Sequence, residues 1–211
     1  MRIRISYVKG TDIRFTSALD MHAIWERSFR RAGIKILYTQ GFRPKPRIQL
    51  GLPLPLGFIS KNEIVDLWVE DSKILLNDFS EILSSCLPMG IEINSIKEIA
   101  LSEKPLVSQI QSSTYQTHFY DKSISRQILN KEVEKILNAT EIFRIKRNGK
   151  RYNLRPLIIN IEILDTPSKQ PYLSMELVSQ ANATGRADEV VLAMGFAISD
   201  VLIERVSYTY V

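Results

Sequence analysis

Residues 2–8, Arg2-Ile3-Arg4-Ile5-Ser6-Tyr7-Val8, change character at almost every step. A β-strand shows successive side chains to opposite faces, so Ile3, Ile5 and Tyr7 fall on one side and Arg2, Arg4 and Ser6 on the other. Lys9-Gly10-Thr11-Asp12 reads as a turn, and residues 13–15 as a short extended piece. The period then lengthens from two to 3.6. Ser17 is a candidate helix N-cap with Asp20 three residues on, the spacing of a capping box. Met21, Ile24, Trp25, Ser28, Phe29 and Ala32 recur as one buried stripe. His22 lies beside that stripe and reads as packing. Gly33 suits the residue after a helix C-terminus.

Working outward, residues 35–39 read as a strand, followed by a Pro-rich basic loop over 41–57. Prolines at 44, 46, 53 and 55 remove four backbone donors, so this loop cannot be a central strand throughout. Residues 62–70 return to strand character. Residues 73–86 read as a helix with Leu75, Leu76, Phe79, Ile82, Leu83 and Cys86 inward, and 91–99 as a strand. After a polar linker, 101–112, a similar order follows: a strand at 113–120, then a helix at 123–138 with Ile124, Ile128, Leu129, Val133, Ile136 and Leu137 inward. Next come a strand at 141–147, an Asn148-Gly149 turn, strands at 154–164 and 172–179, a helix at 187–202 and a strand at 204–210. The expected fold is α+β: two tandem ferredoxin-like (βαββαβ) halves with antiparallel sheets, residues 1–100 and 113–211. The case rests on element order, since no residue-by-residue repeat accompanies it.

Composition removes several kinds of chemistry. Cys86 is the only cysteine, so no intrachain disulfide can form, and a protein-held iron–sulfur cluster would need three or four thiolates. His22 and His118 are the only histidines and have no zinc-site spacing, so no metal is expected. There is no glycine-rich phosphate loop and no GxSxG elbow, and no cofactor is expected. The N-terminal residues lack the apolar core of a signal peptide, and no run matches a membrane helix, so the expected location is cytoplasmic, without membrane contact.

Charge is uneven. Residues 1–50 hold 11 Lys and Arg against 3 Asp and Glu, whereas residues 51–100 hold 3 against 8. That asymmetry points to a polyanionic partner. Arg43-Pro44-Lys45-Pro46-Arg47 is its sharpest expression. A residue before proline is pushed to extended geometry, so Arg43, Lys45 and Arg47 would form a stiffened cationic comb, with Phe42 beside it to stack on a base. Lys146, Arg147, Lys150, Arg151 and Arg155, together with Arg144, form a second basic segment gathered by the Asn148-Gly149 turn. Arg27, Arg30 and Arg31 read as a solvated helix face. Tyr115, Thr117 and Phe119 alternate with Gln116, His118 and Tyr120, and the aromatics read as packing. His118 is the sole catalytic candidate, as a general base in metal-free RNA cleavage.

The run Asp12-Ile13-Arg14-Phe15-Thr16-Ser17-Ala18-Leu19-Asp20, with Glu26-Arg27 and Arg30-Arg31-Ala32-Gly33, resembles the radical SAM-linked domain-of-unknown-function family. So does Gln40-Gly41-Phe42-Arg43-Pro44-Lys45-Pro46-Arg47 followed by Pro53-Leu54-Pro55-Leu56-Gly57. Sparser matches lie at Asn153-Leu154-Arg155-Pro156 and Thr184-Gly185-Arg186-Ala187-Asp188-Glu189. The residues matching its motifs include Arg14, Asp20, Arg27, Arg31, Gln40, Gly41, Pro44, Pro46 and Arg186. Two positions depart from it: Ala18 stands where a histidine is usual, and Ala187 where a proline is usual. That family stands alone or fused to a radical SAM protein, so the resemblance implies a radical SAM enzyme as partner on a separate chain, carrying the cluster that the single cysteine of this chain cannot hold. The layout also resembles, by topology alone, the metal-independent RNA-processing endoribonucleases of CRISPR systems. The functional expectation is a non-catalytic RNA-binding or substrate-presenting partner of a radical SAM enzyme. The alternatives are a nuclease using His118 and a protein-interaction scaffold.

Overall fold

A computed structural model describes residues 1–211 except 71–75, 147, 181 and 211, and the side chains of 76–78. Arg147, Leu75, the side chain of Leu76 and the expected first turn of the helix at 73–75 therefore lie outside the described residues. The chain divides into two units, Met1–Gln109 and Ile110–Val211.

In the first unit, β1 (Arg2–Lys9) leads through a single 3-10 turn into α1 (Ala18–Arg31). Then follow β2 (Ile48–Leu50), β3 (Ile59–Trp68), α2 (Leu76–Cys86), β4 (Ile91–Ile99) and the short α3 (Leu106–Gln109). Across the sheet β1 lies between β4 and β3, and β2 pairs with β3, all antiparallel. The order is thus fourth, first, third, second.

The helices cover the face bearing Ile3, Ile5 and Tyr7, joined there by Val65 and Leu67 of β3. Met21, Trp25 and Phe29 of α1, with Phe79 and Leu83 of α2, complete the core. Tyr7 meets the Trp25 ring edge-on at 4.8 Å, and Phe29 stacks on it at 5.3 Å. Each large apolar side chain so buried contributes about 1.5–3 kcal/mol. The Ser17–Asp20 capping box is formed in full: the Asp20 N–H donates to the Ser17 hydroxyl, and the Ser17 N–H donates to the Asp20 carboxylate. The Ser17 hydroxyl also donates to that carboxylate, and these bonds hold it below the usual carboxylate range.

The start of the opposite face of β1 is buried as well. Asp66 of β3 is fully buried, Arg2 is 2% exposed and Arg4 is 7% exposed. Arg2 donates to Asp66 from Nε at 3.1 Å and Nη2 at 2.6 Å; Arg4 does so from Nε at 2.8 Å and Nη2 at 2.9 Å. Arg2 further donates to the carbonyls of Glu103 and Lys104. That anchorage, with fully buried Leu106, makes residues 101–109 part of the first unit rather than a free linker.

The second unit runs β5 (Ile110–Phe119), α4 (Arg126–Asn138), a hairpin of β6 (Phe143–Ile145) and β7 (Arg151–Asn153), β8 (Ile158–Asp165), β9 (Pro171–Val178), α5 (Ala187–Ala193) and β10 (Val201–Tyr210). Its sheet order is β10-β5-β9-β8, again fourth, first, third, second when the hairpin is set aside, and again antiparallel.

Several expectations need correction. Residues 35–39 form only isolated bridges, not a strand. The expected strand at 154–164 begins as a 3-10 turn, Arg155–Leu157, because Pro156 fixes a helical φ there. The helix expected at 187–202 stops at Ala193. Gly195, with φ +89°, reverses the chain, and β10 starts at Val201. Ile82 and Ile128 are exposed rather than inward.

Asp66→Ala leaves two guanidinium groups without their buried anion and is expected to lose about 3–5 kcal/mol in chemical denaturation. A loss no larger than that of a surface substitution overturns the assignment. Gly185→Ala places a Cβ 2.7 Å from the Leu157 carbonyl oxygen and 3.0 Å from the Leu177 Cβ, and is expected to cost about 1–3 kcal/mol by the same assay.

Candidate nucleic-acid interface

The loop between α1 and β2 is tied down strand-fashion, although it is not a strand. The Leu37 N–H donates to the Trp68 carbonyl at 2.7 Å, the Arg47 N–H to the Leu37 carbonyl at 2.8 Å, and the Trp68 N–H to the Arg47 carbonyl at 3.1 Å. Thr39 adds two bonds to Lys45, one through its N–H and one through its hydroxyl. Residues 37–39 and 45–47 are therefore the legs of a narrow ribbon whose tip is 40–44. Tyr38 faces Pro46 across it. Pro46 sits between the two ladder bonds, where no N–H is needed, so the proline is accommodated. Gly41, with φ +146°, makes the bend at the tip, a conformation that side chains disfavour.

Expected contact residues separate on this frame. Phe42, Arg43 and Lys45 are exposed at the tip, with Gln40, Gly41 and Pro44. Neither Arg43 nor Lys45 has an ion pair among the described residues. Arg47 is exposed, and its guanidinium lies over the Trp68 ring at 4.6 Å. Arg2 reaches the same ring at 4.9 Å. The segment is a returning leg of a ribbon rather than a straight comb.

The β6–β7 hairpin holds the second basic segment, turned by Gly149 at φ +79°. Lys146, Lys150 and Arg151 are exposed. Lys146 stands 5.4 Å from the Tyr152 ring, and the Arg151 guanidinium lies 3.7 Å over Phe143. Arg144 pairs with Glu189 of α5 at 2.5 Å. Arg155 departs from the expected role. It donates to the carbonyls of Ile158 and Leu137, both at 3.1 Å, and so closes the root of the hairpin instead of facing outward. The two basic segments occupy the same place in their units, between the first helix and the second long strand.

Most of the remaining motif residues make contacts within the scaffold. Asp20 caps α1. Arg31 donates to the Ser28 hydroxyl and to the Cys86 carbonyl, tying α1 to the end of α2. Arg14 lies over the Phe15 ring at 4.7 Å, and its carbonyl accepts from the Gly57 N–H. Arg186 makes a two-point ion pair with Asp188, which raises its already high pKa. Arg27 is exposed on α1. His118 is half-buried and stacks on Tyr172, its neighbour across β9, at 4.8 Å. Tyr115 and Phe119 are buried in packing.

Sequence reasoning passed over a small cleft lined by Tyr7, Lys9, Thr16, Ala18, Met21, Leu50, Leu54 and Glu63. Lys9 and Glu63 are buried there, and the Lys9 ammonium donates to the Thr16 carbonyl at 3.0 Å. Glu63, which immediately precedes the run 64–69, was the available signal. Among the described residues no cluster of three His, Cys, Asp or Glu could hold a metal ion, and no helix is long and apolar enough to cross a membrane.

Three solved structures share low similarity with the chain. A Cbf5-Nop10-Gar1 complex matches with 9% identity and a TM-score of 0.45, covering 96% of this chain and 48% of that one. The chain thus spans about half the length of that match. A putative glycine cleavage system transcriptional repressor matches with 8% identity and a TM-score of 0.26, covering 100% and 96%. The first two RRM domains of yeast poly(U) binding protein (Pub1) match with 11% identity and a TM-score of 0.24, covering 95% and 98%. No curated protein matches. A family described as "Uncharacterized protein conserved in bacteria (DUF2344)" matches residues 2–187, which include β1, both basic segments and the Arg186 turn, and the chain belongs to that family.

Proposed function

We propose that this chain is a non-catalytic RNA-binding or substrate-presenting partner of a radical SAM enzyme, built from tandem ferredoxin-like βαββαβ copies that each raise a cationic ribbon. The observation that carries the reading is the tip of the first ribbon. Arg43 and Lys45 are exposed and without carboxylate partners among the described residues, on a loop stiffened by two prolines and five hydrogen bonds. Fixed cations of this kind bind phosphates with little further ordering cost. The equivalent placement of Lys146, Lys150 and Arg151 supports the same role for the second unit, and the shared strand order supports duplication. The radical SAM partnership rests on the family resemblance of the motif residues. A cluster held by the partner agrees with the single cysteine of this chain.

Binding of labelled RNA, followed by fluorescence anisotropy across a salt series, is expected to weaken steeply. If Arg43, Lys45, Lys146, Lys150 and Arg151 all engage phosphates, the slope of log affinity against log salt is roughly −3.5, and each alanine substitution removes about 0.7 of it. Absent or salt-insensitive binding overturns the proposal. Arg155→Ala, by contrast, is expected to lower stability by about 1–3 kcal/mol while leaving the salt slope intact.

A further inference from the structure

We propose that Phe42 is a stacking platform for one unpaired nucleobase, so that the ligand of the first ribbon is single-stranded rather than duplex nucleic acid. This rests on reading the ribbon as a nucleic-acid interface and specifies which form it accepts. Phe42 has a relative exposure of 109%, the highest of any large apolar side chain among the described residues. A lone exposed hydrophobe is ordinary on a protein surface. The ring's surroundings are what separate this one from the others. Of the exposed phenylalanines, Phe15 carries the Arg14 guanidinium over its face, and Phe143 carries that of Arg151. Phe42 has no ring or cation contact among the described residues. Its ring is open to solvent, whereas each of the other two has a guanidinium over one face.

The backbone holds that open ring in place. Gly41 makes the bend before it, and Arg43 after it precedes a proline, which biases Arg43 to extended geometry. The paired bonds between Thr39 and Lys45 close the ribbon directly beneath. Arg43 and Lys45 follow Phe42 in the chain, and residues two apart on an extended chain stand about 6–7 Å apart, within reach of neighbouring phosphates on one strand. A base within a duplex has both faces covered by its neighbours. Away from a duplex end, only an unpaired base offers a face to Phe42, and stacking of that kind tolerates any base.

The test uses the full chain with two probes of the same sequence, a single-stranded RNA of about 12 nucleotides and its blunt duplex. Phe42→Ala is expected to weaken single-strand binding roughly 5- to 100-fold, with duplex binding and the salt slope unchanged. Phe42→Trp is expected to retain or tighten single-strand binding, and Phe143→Ala to leave it unchanged. Because the Phe42 side chain is fully exposed, circular dichroism and thermal unfolding should match the parent protein. Salt-dependent binding that Phe42→Ala leaves untouched, or weakens equally for both probes, overturns the stacking role and leaves the nucleic-acid interface standing. If the parent chain binds neither probe, both fall. A Phe42→Ala variant that loses only co-elution with a radical SAM protein makes Phe42 a protein anchor and also overturns the proposal.

Discussion

One buried carboxylate organises the first unit. Asp66 sits opposite Arg4 on the neighbouring strand and takes four hydrogen bonds from the two arginines of β1. Burying three charges in this way is costly, and the further bonds from Arg2 to two backbone carbonyls and the Arg4–Glu103 ion pair offset part of that cost. Arg2 supplies the link outward by holding the chain at Glu103 and Lys104. Two residues further along β3 is Trp68, which faces Arg2 across the strand pair. Its backbone bonds to both legs of the ribbon, and its ring lies beneath Arg47. The exposed tip is therefore strung, within three residues, to the most deeply buried ionic contact of the unit. Rigidity at the tip derives from the ladder at Trp68, and the ladder's position derives from the register that Asp66 fixes.

Elements whose local pattern agrees with their burial were legible in the sequence. The alternation of residues 2–8 and 91–99 yields β1 and β4 with little error, and the stripe and cap of α1 are reproduced side chain by side chain. Mixed α+β character and antiparallel pairing follow from them. Tertiary contacts overrode local pattern elsewhere. A run such as KILYT looks like a strand, but its last three residues are one leg of a narrow ribbon that turns back at 40–44, and only bridges form. The helical period at 187–202 continued on paper past Gly195, where a positive φ ended it.

The candidate surface was legible to the extent that cations were not needed by the fold. Lys45 and Lys150 are surface charges in both readings. Arg155 is identical in type and sits in the same basic run, yet the hairpin root leaves two carbonyls, those of Leu137 and Ile158, that its fork satisfies. Composition cannot separate an arginine that meets solvent from one that completes a backbone. The same blindness applies to Arg2 and Arg4. Alternation correctly assigned them to the second face of β1 but says nothing of whether that face is covered. The aspartate in the run Ile64-Val65-Asp66-Leu67-Trp68 was the clue: an acid amid apolar neighbours requires a buried counterion.

Burial of cations also changes what the protein looks like from a distance. The first fifty residues carry eleven basic side chains, but Arg2, Arg4 and Lys9 are enclosed, and Asp66 neutralises part of their charge. Of the cations that remain in water, Arg43, Lys45 and Arg47 are gathered on one ribbon, and Arg27, Arg30 and Arg31 lie along α1. Uneven placement of charge exerts a torque on any charged molecule that approaches, so orientation is biased before contact. The isoelectric point counts charges without regard to place, and place alone determines the direction of that turn.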